Sequence, residues 1–280
     1  MDNLFSGLEE FGLNNLSNIN IYDDKEKEEA KDNKAKSQNA FSEEDIIFDK
    51  TYSCPVCDSE FKSKSVKTGR VKLHSLDSDL RPRYHQADPL KYDAVLCPKC
   101  GYASLTRFFK YVTYTQSEWI KKSISANFKP VEESGSIYSY DDAIARHKMA
   151  LVNSIVKKAK TSERAYTCLK TAWVIRGKME TLAQDTPDYK KVIVQLKKEE
   201  MEFISNAYEG FSEAYMTETF PMCGMDESTI ALLVAELARK VGKIDESSRW
   251  ISRILISRDA NERIKDKARE IKELIKEGRN

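Results

Sequence analysis

Two cysteine pairs, Cys54-Pro-Val-Cys57 and Cys97-Pro-Lys-Cys100, are the residues of this chain whose type and spacing suit chemistry. Two residues between the cysteines allow both sulfurs to face one ion, and the proline restricts φ in the turn between them. Four thiolates in two such pairs form a ligand set for tetrahedral Zn²⁺. We therefore predict one structural zinc ion held by Cys54, Cys57, Cys97 and Cys100.

Two other interpretations of the cysteines were weighed against zinc. An iron or iron–sulfur centre uses the same ligands, and the sequence leaves it open. A dithiol redox motif is disfavoured because it needs a single pair in a βαβ context. The residues after the pairs, Asp58 and Gly101, both tolerate the positive φ that we expect there. Four cysteines complete the coordination of zinc, so we predict no catalytic residue and no enzyme activity.

A second cluster lies between the cysteine pairs and consists of Asp79, Arg81, Arg83, Tyr84 and His85. Two guanidinium groups can hold a phosphate or a carboxylate, so one hypothesis is a sensor or enzyme for a small anionic ligand. The favoured interpretation is a loop whose arginines and aspartates pair with each other and fix the loop to the β-rich region.

The charge around this loop raises a third hypothesis. Residues 54–110 contain eleven lysines and arginines against six acidic residues. RNA or DNA binding through this basic spacer is therefore an alternative. The sequence shows no evident stripe of alternating basic and aromatic residues of the kind that binds single strands.

The bulk composition limits the class of protein. The 280 residues contain 46 Lys and Arg against 45 Asp and Glu, a balance that argues against coating a polyanion over the whole surface. No apolar run reaches the roughly 18 residues of a membrane helix, so we expect no membrane partner. The first residues lack the basic and apolar regions of a secretory signal, which favours the cytoplasm, where thiols stay reduced.

The amino-terminal part divides into two predicted segments. Residues 1–22 place Phe5, Leu8 and Phe11 on one helical face, which suits a short docking motif or a tail. Residues 23–47 are rich in charge, which predicts a flexible linker.

Residues 48–112 contain both cysteine pairs and short β-type runs, and we predict that they form a zinc ribbon. Val66–Leu73 resembles a hairpin with Gly69 in its turn, and Tyr92–Cys97 alternates like a strand. The predicted fold class is α+β, mainly α.

Residues 113–280 change to helical periodicity, with caps predicted at Ser139, Ser162 and Asp226. Several helices joined by short turns predict an antiparallel helical body. In one helix Arg176 continues the apolar stripe that includes Trp173.

Within this body, residues 231–255 resemble a tetratricopeptide repeat, a helix pair with small residues where the helices cross. A degenerate second copy is predicted at about 141–183. The small residues Ala231, Ala235 and Ala238, the turn at Gly242, and the packing residues Ile251 and Ile254 carry the resemblance. Ser247 and Ile254 depart from the usual residue types, and the Trp of the first helix is missing.

The order of these features, including "DSDLRPRYHQADPLKYD" between the cysteine pairs, "CPKCGYAS" and "LARKVGKIDESSRWISRIL", resembles the bacterial family called domain of unknown function 2225. The resemblance covers roughly residues 50–260 and implies a cytosolic bacterial protein with a zinc ribbon and a helical-repeat body. It implies no activity. We therefore expect a non-enzymatic adaptor with a protein or peptide partner.

Overall fold

The computed structural model describes residues 42–85, 87–131 and 135–278, which form an α+β fold that is mainly helical. This confirms the predicted fold class. Three two-stranded antiparallel sheets come first, and each pairs strands that are consecutive in the chain. The predicted docking residues Phe5, Leu8 and Phe11, and the linker up to residue 41, lie outside the described residues.

Both cysteine pairs lie in the connections of β-hairpins. In the first hairpin, β1 (Ile47–Ser53) pairs with β2 (Glu60–Val66). In the second hairpin, β5 (Ala94–Leu96) pairs with β6 (Ala103–Leu105). β5 corresponds to the strand predicted before Cys97.

The hairpin predicted around Gly69 is wrong. Residues Thr68–Arg70 form a short 3₁₀ turn, and the strands on either side of it pair elsewhere. β3 (Leu73–Leu76) pairs with β4 (Pro82–Tyr84). The β-forming residues were recognised, but their partners depend on packing that a local pattern does not contain.

Among the described residues, one short helix precedes β1 and seven helices follow β6. Consecutive helices from α3 to α8 pack against each other. The bounds are α1 Glu43–Ile46, α2 Tyr114–Ile120, α3 Tyr140–Val156, α4 Thr161–Thr181, α5 Tyr189–Thr217, α6 Glu227–Lys240, α7 Ile244–Ile256 and α8 Glu262–Glu277. No described helix combines the length and the apolar character that crossing a membrane requires.

Local chemistry accounts for several helix starts. Ser139 and Asp226 each accept a hydrogen bond from the backbone N–H three residues ahead, as predicted. The cap predicted at Ser162 is wrong, because α4 begins at Thr161 and Ser162 lies inside its first turn. The Ser162 hydroxyl instead donates to a Glu218 carboxylate oxygen at 2.6 Å. A tertiary partner has replaced the local one.

Helix α6 forms the centre of the helical body. Every residue from Ile230 to Ala238 is buried, including Glu236. A helix that is apolar on nearly all sides belongs in a core, and its small alanines leave space for neighbouring helices. Ile251 and Ile254 of α7 are buried in the same core.

The β5–β6 hairpin packs directly on α3. Ala150 of α3 is buried with the apolar residues of both strands. The Asn153 amide donates to the carbonyl oxygen of Gly101 at 3.1 Å, and also to that of Met149. The second cysteine hairpin is therefore attached to the helices by both apolar and polar contacts.

The last residues of the predicted linker are structured. Ser42 begins α1 with a capping box, and Ile46 is 1% exposed. Glu43 contacts the Lys91 ammonium at 2.7 Å. Ile46 and Ile47 bury enough apolar surface to hold this end of the segment in place.

Candidate metal centre and charged loop

The two cysteine turns repeat one backbone geometry. In the first, the N–H of Cys54 donates to the Ser59 carbonyl, and the N–H of Asp58 donates to the Cys54 carbonyl. The second turn repeats both bonds: the N–H of Cys97 donates to the Tyr102 carbonyl, and the N–H of Gly101 donates to the Cys97 carbonyl. Each turn therefore closes its hairpin and directs its cysteines to one side.

The positive φ expected after each pair is confirmed. Asp58 has φ 57° and Gly101 has φ 75°. At Gly101 a side chain would also collide with its surroundings, because an added Cβ would lie 2.5 Å from Cδ2 of Phe128. Glycine is needed there for conformation and for space.

The four sulfurs meet at one point between the two hairpins. Cys54 Sγ lies 3.6 Å from Cys100 Sγ, and Cys57 Sγ lies 3.7 Å from Cys97 Sγ. All four sulfurs lie within 4.8 Å of one another. A tetrahedral ion with metal–sulfur bonds of about 2.3 Å has sulfur–sulfur edges of about 3.8 Å, so the sulfurs could hold a metal ion. They are too far apart for disulfides.

The four sulfurs are close enough to influence one another's protonation. Hydrogen bonds with Cys100 and Cys97 raise the pKa of Cys54, whereas hydrogen bonds from Cys100 and Cys54 lower the pKa of Cys97 to about 2. The neighbouring sulfurs thus compete for protons. A bound cation would allow all four to be thiolates at these distances.

An aromatic cluster supports the centre. Tyr52 packs on Phe61 and Phe109, with ring centroids 5.9 and 5.5 Å apart, and Tyr102 packs on Phe109 at 5.0 Å. The Tyr102 hydroxyl donates to the Phe109 carbonyl at 2.9 Å. Three of the four cysteines are buried, and Cys57 is half-buried. Four cysteines in such a largely closed setting suit a structural metal ion.

The two remaining cysteines lie apart from this centre. Burial raises the pKa of Cys168 and of Cys223 to about 12 in each case. Both are therefore neutral thiols at physiological pH, which does not suit a nucleophile.

Asp79 of the predicted ligand loop is fully buried in an ion-pair network. Arg176 Nη2 donates to Asp79 Oδ2 at 2.6 Å, Arg176 Nη1 donates to Asp79 Oδ1 at 3.1 Å, and Lys240 Nζ lies 3.4 Å from Oδ2. Burial alone would raise the pKa of Asp79, but Arg176 and Lys240 together lower it to about 2. The Asp79 carboxylate is therefore paired with basic residues of helices α4 and α6.

The two loop arginines share one acidic partner. Arg83 donates to both oxygens of Glu180 at 2.7 and 2.8 Å, and Arg81 donates to Glu180 at 3.0 Å. Arg83 also donates to Asp77 at 2.7 Å. The prediction that the loop pairs its own charges holds for Asp77 and Arg83. The prediction that the loop is fixed to the β-rich region needs correction, because Glu180 belongs to α4.

Sequence reasoning missed the helical partners of the loop. Arg176 also donates to Glu200 at 2.7 Å, and Ser78 donates to Glu236 at 2.6 Å. One signal was present, since Arg176 continues an apolar helical stripe. A charged residue at such a position predicts a buried partner.

Tyr84 and His85 have different surroundings from the arginines. Tyr84 is half-buried, and His85 is exposed with its ring 4.4 Å from that of His74. Together with Arg81 and Arg83 they line a cavity of about 310 Å³. Four of the five predicted loop residues are thus brought together at one opening.

The fold and the cysteine cluster define a class of protein, in which two β-hairpins carry a candidate four-cysteine metal centre and are joined to a helical body. Residues 47–275 match the profile of a family described as an uncharacterized protein conserved in bacteria, domain of unknown function 2225. Because the match covers well over half of the sequence, the chain belongs to this family. Comparison with curated proteins and with solved structures gives no match.

Proposed function

We propose that this protein is a cytoplasmic, non-enzymatic adaptor. One structural Zn²⁺ in the four-cysteine centre holds the two hairpins together, and the TPR-like helical body binds a protein or peptide partner. Zinc is preferred over iron because two cysteine pairs with two residues between the cysteines of each pair are a common ligand set of structural zinc. The observation that carries the proposal is a surface on helix α7.

This surface, which we call the aromatic–arginine face, consists of Arg249, Trp250 and Arg253 of α7, which lie beside the buried rings of Tyr208 and Tyr215 of α5. The Tyr215 and Trp250 rings meet edge to face with centroids 4.7 Å apart. The Arg253 guanidinium lies 4.9 Å from the Tyr215 centroid and 5.6 Å from that of Trp250. A cavity of about 370 Å³ opens beside Arg249, Trp250 and Arg253.

The composition of the face supports a protein partner. Tryptophan and arginine are enriched in protein interfaces and are prominent among the residues that dominate their binding energy. Glu246 accepts from the Tyr208 hydroxyl, and Glu227 accepts from the Tyr215 hydroxyl at 2.5 Å. The rings are thus held in place before binding, which lowers the entropy cost of association.

The charges of the face indicate the kind of segment that binds. Arg249 and Arg253 face the cavity with one acidic residue, Glu246. A partner segment with an acidic side chain next to an apolar one would place the acid on the arginines and the apolar group on Trp250.

The test uses a photo-crosslinking amino acid placed at position 250 in cells. The matched control places it at Ile256, an 82% exposed position at the end of the same helix. We expect a protein crosslinked from position 250 and not from position 256. The Arg253→Ala variant should then weaken binding of that purified protein by about thirtyfold.

A second control keeps the test specific to the face. Met216→Ala changes a 75% exposed residue outside the face and should leave binding unchanged. The proposal fails if both crosslinking positions capture the same proteins, or if Arg253→Ala binds the captured protein as tightly as the wild type.

The cavity at the charged loop supports a second candidate function, the sensing of a small ligand. Its wall contains three basic residues, Arg81, Arg83 and Lys91, and three acidic ones, Glu43, Asp88 and Glu180. The buried Nε of Arg81 has no hydrogen-bond partner among the described residues. This balance suits a ligand that carries both charges, such as an amino acid or a short peptide.

Thermal unfolding with added amino acids, dipeptides and simple carboxylates tests this candidate. We expect stabilisation by a zwitterion and none by a simple carboxylate. Tyr84→Ala should abolish the effect, because Tyr84 lines the cavity and lies outside the network around Glu180. If no added compound raises the unfolding temperature, the candidate is refuted.

A further inference from the structure

Three exposed aromatic side chains follow the second cysteine hairpin. Tyr111 is 76% exposed, Tyr114 is 81% exposed and Trp119 is 37% exposed. Helix α2 and the turn after it bury their other side through Ile120 and Ile124. The core therefore does not use these three rings, and such exposed apolar groups commonly mark a binding surface.

Basic residues are frequent in the sequence around the exposed rings. Residues 107–131 contain five basic residues and one acidic residue, although the whole chain has a net charge of only +1. The single acid, Glu118, contacts Lys121 at 3.0 Å. Lys122 is exposed and follows directly. This short stretch therefore concentrates positive charge beside the aromatic rings.

Helix α3 brings further charge to the same surface. The Gln116 amide donates to the Lys157 carbonyl at 3.0 Å, which holds α2 beside the end of α3. Lys158 then places its ammonium 4.8 Å from the centroid of the Trp119 ring. A lysine that follows α3 thus contacts an exposed aromatic ring of α2.

The local backbone gives this surface a defined shape. Thr113 and Gln116 form a capping box at the start of α2. Residues Lys121–Ser125 form a π-helical turn, a feature that occurs often at functional sites.

We infer that this surface binds single-stranded nucleic acid, and we call it the aromatic–lysine face. Bases would stack on the exposed rings, and the ammonium groups would contact phosphates, which is how proteins bind single strands without sequence preference. Lysine is depleted at protein interfaces, whereas the aromatic–arginine face has the composition of one. The residues of the new face are Tyr111, Tyr114, Trp119, Lys121, Lys122 and Lys158.

This assignment differs from the nucleic-acid site expected from the sequence. That hypothesis relied on the basic spacer of residues 54–110, in which the guanidinium groups of Arg81 and Arg83 are engaged by Glu180 and Asp77. Phosphate binding there would have to break these bonds. The sequence shows no stripe of alternating basic and aromatic residues because Lys158 and Trp119 are far apart in the sequence and meet only in the folded chain.

The experiment is fluorescence anisotropy of the purified, zinc-loaded full chain with labelled oligouridine and labelled oligothymidine. We expect both single strands to bind, with an affinity that falls as salt rises, and a DNA duplex to compete poorly. Preference for one of the two labelled oligomers then identifies RNA or DNA as the natural source. Tyr114→Ala should weaken binding by about tenfold, and Tyr114→Phe, which keeps the ring, should bind like the wild type.

A matched pair of charge reversals tests the location. Lys121→Glu with Lys122→Glu removes two phosphate contacts and should reduce the slope of log affinity against log salt by about 1.4. Lys197→Glu with Lys198→Glu changes the net charge equally on exposed lysines of α5 and should change the slope much less. Circular dichroism and metal content confirm that each variant is folded.

Two results would overturn the inference. One is no measurable binding of either oligomer, and the other is an equal loss in the two charge-reversal variants. Trp250→Ala, which alters the aromatic–arginine face, should bind oligonucleotides like the wild type. Failure of the proposed protein adaptor is therefore distinguishable from failure of this inference.

Discussion

Replacing Asp79 with asparagine tests whether the charged loop is held by the helical body. The substitution keeps the shape of the side chain and removes its negative charge. Asp79 is fully buried, and both of its oxygens accept hydrogen bonds from Arg176. The variant leaves the Arg176 guanidinium with only Glu200 and Asp77 as acidic partners.

The magnitude follows from the pKa of Asp79. Lowering it from 3.8 to about 2 corresponds to about 2.5 kcal/mol in favour of the charged form in the folded state. Breaking a buried ion pair by removing one partner costs about 3–5 kcal/mol, and the remaining partners of Arg176 reduce that figure. We therefore expect Asp79→Asn to lower the free energy of unfolding by about 2–3 kcal/mol at pH 7.

The sign of the pH dependence follows from the lowered pKa. A carboxyl group whose pKa is lower in the folded state contributes its full stabilisation above the unfolded pKa, near 4. The contribution is lost as the pH falls through the folded value, about 2. The stability difference between wild type and Asp79→Asn should therefore be constant above about pH 5 and shrink between about pH 4 and pH 2. If a metal is bound at the cysteines, its loss in acid would affect both proteins, so the difference isolates Asp79.

The assay is urea unfolding at pH 7, with thermal unfolding as a second measure. A loss of about 2–3 kcal/mol corresponds to a fall in Tm of about 5–10 °C for a chain of this size. The control is Asp141→Asn, whose side chain is 76% exposed and contacts Lys178 at 2.5 Å. That surface pair should contribute less than about 1 kcal/mol. Equal stability of wild type and Asp79→Asn would refute the reasoning.

Three further predictions concern the cysteines and their turns. The purified protein should contain one Zn²⁺ per chain by elemental analysis. The Cys97→Ser variant should have a lower zinc content and a lower unfolding temperature. One full equivalent of zinc in that variant would exclude the four-cysteine site. Gly101→Ala should destabilise the fold by about 2–4 kcal/mol, because the added methyl group overpacks its surroundings and alanine disfavours the positive φ. Gly69→Ala is the control and should be nearly neutral in the same unfolding assay, because an added Cβ there meets no atom within 4 Å. Iodoacetamide should label Cys168 and Cys223 of native zinc-loaded protein slowly at pH 8, because burial raises the pKa of both thiols to about 12. Mass spectrometry measures the labelling, and rapid labelling would contradict these pKa values.

The sequence by itself determined the features that depend on residues close together in the chain. The spacing of the cysteines and the residues after them, Asp58 and Gly101, predicted two turns with positive φ, and both are present. The helical periodicity and the caps at Ser139 and Asp226 also depend on a few neighbouring residues. Local sterics and local hydrogen bonds are sufficient for such features.

Only the tertiary structure decided which distant groups meet. Asp79 and Arg176 are 97 residues apart, and nothing in the loop specifies that its partners belong to helices. The same holds for Lys158, which reaches Trp119 because α3 ends beside α2. A charge can pair with many opposite charges along a chain, and packing of the apolar core determines which of them is brought within hydrogen-bond distance.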